Sequence, residues 1–336
     1  MVVLRDGMCP GLDEELIQAL RAEDVKTVED LVSSDTEDLS QKCSVSYKAL
    51  LAVRRVLLAQ HAAFPVSGAD LYEELLSSTA ILSTGNPILD KMLDSGLYTG
   101  ELTELAGGPG SGKTQVCFGV TLSISYQLKQ SVVYIDSTGG MSASRLLQML
   151  QAKSCNMEEQ MEALQRIQIF RLFDAFSLLG CLHSLRCVGL QQASLGGGSV
   201  KAVIVDSVSA LISPLLGGKH NEVKISPGMS LMMQVAGVLK TIAKDFNVAA
   251  LVTNHTTRDG SGQPKPGLGL SWSHVPRTRV LLERVERPGS LCSSLRTATL
   301  IKSSRQPCLL KTEFDLKCWG RPDDMTAVSG KRKLEN

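Results

Sequence analysis

The sequence predicts an α/β protein, an open and mostly parallel sheet covered by helices on both faces, preceded by a small all-helical N-terminal domain. Three observations predict it. Four short runs, Leu102 to Leu105, Val132 to Ile135, Val200 to Val205 and Val248 to Val252, are apolar at consecutive positions, as strands buried on both faces are. Stretches of helical spacing separate these runs, the alternation that lays helices over a parallel sheet. The first sixty residues instead carry only spacings of three and four: Leu16 and Leu20, then Val28, Leu31 and Val32, then Tyr47, Leu50, Leu51, Val53, Leu57 and Leu58.

In chain order, residues 1–60 form the expected helical domain, with Thr27 and Ser46 placed as N-caps and Glu29 and Asp30 in the turn that a helix dipole favours for acids. Residues 61–78 are the expected linker: Phe64-Pro65-Val66-Ser67-Gly68-Ala69 supplies Pro and Gly punctuation, and a short helix is expected from Leu71 to Leu76. Residues 79–322 hold the sheet. Gly196-Gly197-Gly198 reads as a flexible loop. Residues 323–336 are polar, end in Lys331-Arg332-Lys333, and are expected to be a disordered tail.

Composition narrows the function classes. With 43% hydrophobic and 21% charged residues, the 336-residue chain is neither disordered nor collagenous, and no apolar run reaches the roughly 18–20 residues of a membrane span. The net charge of +1 leaves nucleic-acid affinity to local patches. Those patches are uneven: residues 1–38 hold eleven acids against three bases, and residues 277–336 hold thirteen bases against seven acids. Nine cysteines without a C-x-x-C spacing point to a reducing compartment; Cys181 and Cys187 read as small apolar residues rather than metal ligands.

The strongest local signal is Gly107-Gly108-Pro109-Gly110-Ser111-Gly112-Lys113-Thr114, which meets every fixed position of the P-loop pattern between an apolar run and a helical stretch. Backbone N–H groups must crowd around phosphates in such a loop, and side chains would obstruct them. Lys113 is expected on the β and γ phosphates, Thr114 on Mg²⁺, and Gln115 opens the helix behind, so ATP and Mg²⁺ are the expected cofactors. A carboxylate is then needed at the end of a neighbouring strand, and Ala202-Val203-Ile204-Val205-Asp206 supplies one. Asp206 is expected to hold the metal with Thr114 and to form the catalytic pair with Lys113; an Asp there could also cap the next helix.

The order of P-loop, Tyr134-Ile135-Asp136, Val203-Ile204-Val205-Asp206 and Val252-Thr253-Asn254 resembles the RecA family. The helical domain and linker in front resemble those of its eukaryotic and archaeal strand-exchange recombinases. Cys9-Pro10-Gly11-Leu12, Tyr98-Thr99-Gly100-Glu101, the segment 213–218 and the segment 302–307 are similar to a eukaryotic paralogue of those recombinases. The resemblance implies a RecA-like P-loop ATPase core. It also implies a role for Arg145 against adenine, which a solvated helix arginine would not have, and a γ-phosphate sensor at Asn254 and His255. Where the family carries a glutamate acting on the attacking water, this chain has Thr138, and loss of general-base assistance typically costs about 10² to 10⁴ in rate. Weak, DNA-stimulated hydrolysis is expected.

Residues 213–230 and 256–273 match the family's DNA-facing loops. Arg258, Lys265, Arg277 and Arg279 stand against Asp259 alone, with Trp272 among them as a stacking platform or a buried side chain, so single-stranded or branched DNA is the expected ligand. The first loop is weaker, with Lys219 and Lys224 against Glu222. The N-terminal domain resembles a helix-hairpin-helix module, but its hairpin, Cys43-Ser44-Val45-Ser46, lacks glycine; Lys48, Arg54 and Arg55 could form a small basic face. In the linker, Val66 and Ala69 fall where the family carries a Phe-x-x-Ala strand that docks on the next subunit. The smaller anchor favours a hetero-oligomer over a self-filament, and the resemblance implies other paralogues as its partners, namely types B and C and the small X-ray cross-complementing one. The resemblance implies homologous recombination repair of breaks and crosslinks, in the nucleus and on chromosomes including telomeres. A nucleotide-gated scaffold without meaningful catalysis is the alternative.

Overall fold

The computed structural model describes residues 2–61, 65–188, 190, 198–216, 227–258, 262, 264–285, 294–317 and 319. The chain divides into two compact units, Met1–Glu74 and Leu75–Asn336. Gly196, Gly197, residues 217–226, Asp259 and the expected tail with its Lys331-Arg332-Lys333 cluster lie outside the described residues.

In the first unit, acids stand at the start of the first three helices. The Asp13 carboxylate accepts from the Leu16 N–H at 2.9 Å to open α1 (Glu14–Ala22), a reciprocal Thr27–Asp30 capping box opens α2 (Val28–Ser33), and Asp35 caps α3 (Thr36–Lys42). Much of the negative charge of residues 1–38 therefore sits on helix N-termini, where the dipole favours it. Helix α4 (Tyr47–His61) follows, and Leu4, Leu12, Ile17, Leu20, Leu31, Leu50, Val53 and Leu57 close the core. Arg54 is drawn into this fold: its guanidinium donates to Thr36 Oγ1 and to the Val32 and Ser34 carbonyls at the end of α2. Of the suggested basic face, it is thus a helix-closing group.

Helix α5 spans Gly68–Ser78, longer than the Leu71 to Leu76 expected. Ser67 explains the earlier start, because its hydroxyl accepts from the Asp70 N–H at 3.1 Å and donates to the Asp70 carboxylate at 2.7 Å. Ala69 is accordingly helical here and not on a strand, Val66 is exposed, and α5 buries none of its residues.

The second unit begins with β1 (Ile81–Leu82), which returns through α6 (Pro87–Met92) to pair with β2 (Leu97–Tyr98). The main sheet is built from β3 (Leu102–Gly107), β4 (Ser131–Asp136), β5 (Ile167–Arg171), β6 (Val200–Asp206), β7 (Ala249–Arg258), β8 (Pro264–Pro266), β9 (Thr278–Arg284), β10 (Leu295–Lys302) and β11 (Lys311–Asp315). Its order is β11-β10-β9-β3-β7-β6-β4-β5, with β8 paired to β7. The pairs from β9 to β5 are parallel; β10 and β11 add antiparallel. All four expected apolar runs are strands of the parallel portion.

Alternation along each strand divides the core between two faces. Tyr134, Ile204 and Leu251 pack with α7 (Lys113–Leu122), the π-helical turn Ser123–Gln127 and α8 (Ala143–Gln151), near α9 (Met157–Gln165). Ile135, Val203 and Val252 pack with α10 (Ala175–Val188), α11 (Val208–Leu216), α12 (Pro227–Asp245) and α13 (Gly269–Ser273). Among the described residues no helix is long and apolar enough to cross a membrane.

Candidate nucleotide site

The carboxyl ends of β3, β6 and β7 converge because the register pairs Gly107 with His255 and Val205 with Val252. Ligands in open α/β sheets gather at such ends. The loop after β3 turns through Gly110 at φ +72° and Gly112 at φ +99°, both in the left-handed region that glycine tolerates. A Cβ on Gly107 would stand 2.6 Å from the Leu282 carbonyl oxygen, so that position also has no room for a side chain. Lys113 arches over the loop and donates to the Gly107 and Gly108 carbonyls at 2.7 and 3.0 Å. Burial pulls its ammonium below the usual lysine range, opposed by the charge of Asp206.

Beneath the loop, the Thr114 hydroxyl donates to Asp206 at 2.6 Å. Two residues not singled out from the sequence complete this floor: the Tyr134 hydroxyl donates to the same carboxylate at 3.1 Å, and the Thr253 hydroxyl donates to its other oxygen. Their signal was position, since each follows an apolar run on its strand, Val132-Val133 before Tyr134 and Ala249-Ala250-Leu251-Val252 before Thr253. Burial, then Cys117 and Asp206, push the Tyr134 phenol far above its ordinary value, so it remains a donor.

Arg145, near the start of α8, donates to the Gln115 side chain at 3.1 Å, so two predicted nucleotide contacts meet across helices. The His255 N–H donates to Ser209 Oγ at 3.0 Å, and burial with the nearby Lys113 charge lowers the imidazole below its ordinary value. Asn254 is turned inward. Its side-chain amide donates to Glu104 at 2.6 Å and to the Gly267 carbonyl at 3.0 Å. Glu104, fully buried on β3, also accepts from Trp272 Nε1 at 3.2 Å and from the Arg279 guanidinium.

Trp272 is therefore a core side chain, 0% exposed, and the stacking-platform expectation is corrected. The short helix α13 turns its indole onto α12 and the carboxylate of Glu104 gives the N–H a partner. The basic cluster of residues 258–279 also splits. Arg258 and Lys265 sit together on the exposed hairpin of β7 and β8, where Thr257 pairs with Lys265. Arg277 lies at the opposite end of the sheet, its backbone N–H on the Leu102 carbonyl, and Arg279 is buried.

Thr138 follows β4 in a turn organised by Asp136, whose buried carboxylate accepts from the N–H groups of Thr138, Gly140 and Met141 at 3.1, 3.2 and 3.0 Å. The Thr138 hydroxyl donates toward the same carboxylate at 3.4 Å. It offers no base.

The residues fit a nucleoside triphosphate with a divalent cation: a cradle that a Cβ would fill, a buried Ser111 hydroxyl with no partner among the described residues, and a lysine and a carboxylate at its two sides. A family model described as Rad51 matches residues 76–299, and one described as RAD51D, N-terminal domain, matches residues 1–60. The chain is 55% identical to the DNA repair protein RAD51 homolog 4 of Mus musculus, over 99% of this chain and 100% of that one. It is 56% identical to the Bos taurus protein of the same description, over 96% and 97%. A crystal structure of the RadB recombinase superposes with a TM-score of 0.56 at 26% identity, covering 70% of this chain and 96% of that one.

Proposed function

The chain belongs to the Rad51 family, as a paralogue of the RAD51 homolog 4 type acting in DNA repair and recombination, and from that premise we propose that it is an ATP-binding, weakly hydrolysing partner protein of recombination. The observation that carries this reading is the convergence of Lys113, Thr114 and Asp206 around a glycine-turned loop. Loop N–H groups and Lys113 would hold the phosphates, Thr114 and Asp206 the cation, and Arg145 with Gln115 would flank the base. Bound Mg²⁺ supplies charge neutralisation at the β and γ phosphates. His255, neutral and beside Lys113, would donate or accept one hydrogen bond at the phosphate end without adding charge.

Turnover would be slow because Thr138, in the loop after β4, offers only a hydroxyl that donates to Asp136, leaving the attacking water without a base. The same observation favours a second reading, a nucleotide-gated scaffold joining other recombinase paralogues without meaningful hydrolysis. Arg258 and Lys265 on their hairpin are the proposed contacts to single-stranded or branched DNA. Val66, exposed ahead of α5, and Ala69 within it are the proposed contacts to partner paralogues. Repair of breaks and crosslinks by homologous recombination, with nuclear and chromosomal residence, completes the proposal.

The test is ATP turnover by the purified chain, with and without single-stranded DNA, beside Lys113→Ala and Thr138→Glu. Slow turnover that is lost in Lys113→Ala and rises about 10²-fold or more in Thr138→Glu supports the enzyme. Background turnover in all three, with ATP still bound by the unmodified chain, leaves the scaffold.

A further inference from the structure

Helix α7 carries Lys113 and Thr114 in its first turn, so the tilt and rotation of this helix set where both functional groups stand. Glycine is a poor helix former, yet Gly112 is the N-cap of α7 and Gly119 lies in its interior. Residues seven apart share one face of a helix, and these two are about 10.5 Å apart along its axis. Neither has room for a side chain. A Cβ on Gly112 would stand 3.0 Å from Leu316 Cδ1, and one on Gly119 would stand 2.0 Å from the Trp319 indole. The side chains that fill both places come from one short segment just after β11, where three residues reach at most about 11 Å. The spacing of the two side chains therefore suits the spacing of the two glycines.

The sheet holds this segment from its other side. Asp315 pairs with Leu295 at the end of β11, the Leu316 N–H donates to the Ser294 carbonyl at 3.1 Å, and the Lys317 N–H donates to the Asp315 carboxylate at 2.8 Å. The Trp319 indole is 7% exposed and meets Phe314 edge-on, with ring centroids 5.9 Å apart. A Cβ on Gly85 would stand 3.2 Å from its Nε1, so a second glycine gives it space. That nitrogen has no hydrogen-bond partner among the described residues, and the indole is kept in place by fit rather than by a polar contact.

We propose that Leu316 and Trp319 are positioning residues for the nucleotide, which hold α7 at Gly112 and Gly119 and so fix Lys113 and Thr114 against the phosphate loop. One contact would let the helix pivot; two contacts on one face set both its tilt and its rotation. A misplacement of about 1 Å at groups of this kind can cost about 10²-fold. This inference rests on the ATP-binding part of the proposed function and names what keeps that site in register.

The experiment is titration of the full chain with N-methylanthraniloyl-ATP and Mg²⁺ near 10 °C, where folded proteins are close to their greatest stability. Lost stability alone leaves the folded fraction near one there, and the apparent affinity with it. The unmodified chain is compared with Leu316→Ala, Gly119→Ala, Trp319→Leu and Gly119→Ala/Trp319→Leu, and urea denaturation checks that each is folded. Each single substitution is expected to weaken ATP about tenfold or more. Inorganic triphosphate, used as competitor, should weaken by the same factor, because the helix is displaced and not a contact to the base. The double variant should return to within about threefold of the unmodified chain, since the added Cβ occupies space that the indole leaves. Folded single variants that bind ATP as the unmodified chain does overturn the inference. So do additive losses in the double variant, or a loss confined to ATP with triphosphate unchanged. If Trp319→Leu fails to fold, Leu316→Ala and Gly119→Ala decide the matter alone. If the unmodified chain binds neither ATP nor triphosphate, the proposed function falls together with this inference; if it binds both and every variant matches it, only this inference falls.

Discussion

Replacing Glu104 by Gln would remove one charge from the middle of the sheet without changing its volume. Glu104 is fully buried and accepts from Asn254, Trp272 and Arg279, and Arg279 is itself only 6% exposed. Glu104→Gln leaves that guanidinium without a counter-charge and presents an NH₂ group where three donors already point. Breaking a buried pair from one side costs about 3–5 kcal/mol. In a unit of this size each kcal/mol moves Tm by roughly 2–4 °C, so the expected fall is about 6–20 °C. Thermal unfolding followed by near-UV circular dichroism reads it, with Trp272 as reporter. A cycle sharpens the test: Arg279→Met should be costly in the unmodified chain and near neutral on the Glu104→Gln background, because the stranded charge is then gone. A Glu104→Gln Tm within 2 °C of the unmodified protein, or strict additivity of the two substitutions, would refute this account of the cluster.

Gly119→Ala tests packing behind the P-loop: a Cβ there would lie 2.0 Å from the Trp319 indole, so the helix or the indole must move, and overpacking of this kind costs about 1–3 kcal/mol. Urea denaturation should show a lower midpoint; an unchanged midpoint means that Trp319 does not pack there. For His255, the folded imidazole holds its proton less tightly than the unfolded one, so its contribution to stability is full above the ordinary imidazole value. That contribution is lost as pH falls through this value and the folded one below it. Tm of the unmodified chain should drop more steeply than that of His255→Gln between pH 7.5 and 5.5, and parallel profiles would remove His255 from the buried side of the site.

What could be read from the sequence was what is encoded locally. The P-loop, Asp206 and the four parallel strands depend on residues within one turn or one strand of each other, and their spacing carries the physics. The helix caps Thr27 and Asp35 are of the same kind, although only Thr27 was anticipated. Misreadings arose where the fold redistributes neighbours. Arg258, Lys265, Arg277 and Arg279 form one basic cluster along the chain, yet β9 carries the last two to the far end of the sheet and into the core. The partner that neutralises Arg279 lies 175 residues earlier, at Glu104, which no spacing rule connects to it. Trp272 followed from that pairing. Thr253 and Tyr134 were missed because a hydroxyl inside a strand has meaning only once the neighbouring strand brings Asp206 alongside.

The floor of the candidate nucleotide site has a chemical economy of its own. Three hydroxyls, from Thr114, Tyr134 and Thr253, give their hydrogens to Asp206. A hydroxyl is reversible in a way that an ammonium or an amide is not: it can rotate its hydrogen aside and offer a lone pair while its oxygen stays in place. The carboxylate is thus never a bare charge in a dry interior, whether or not a cation is at hand. Helix α7 and strands β4, β6 and β7 are thereby tied together through one carboxylate by groups of this chain alone.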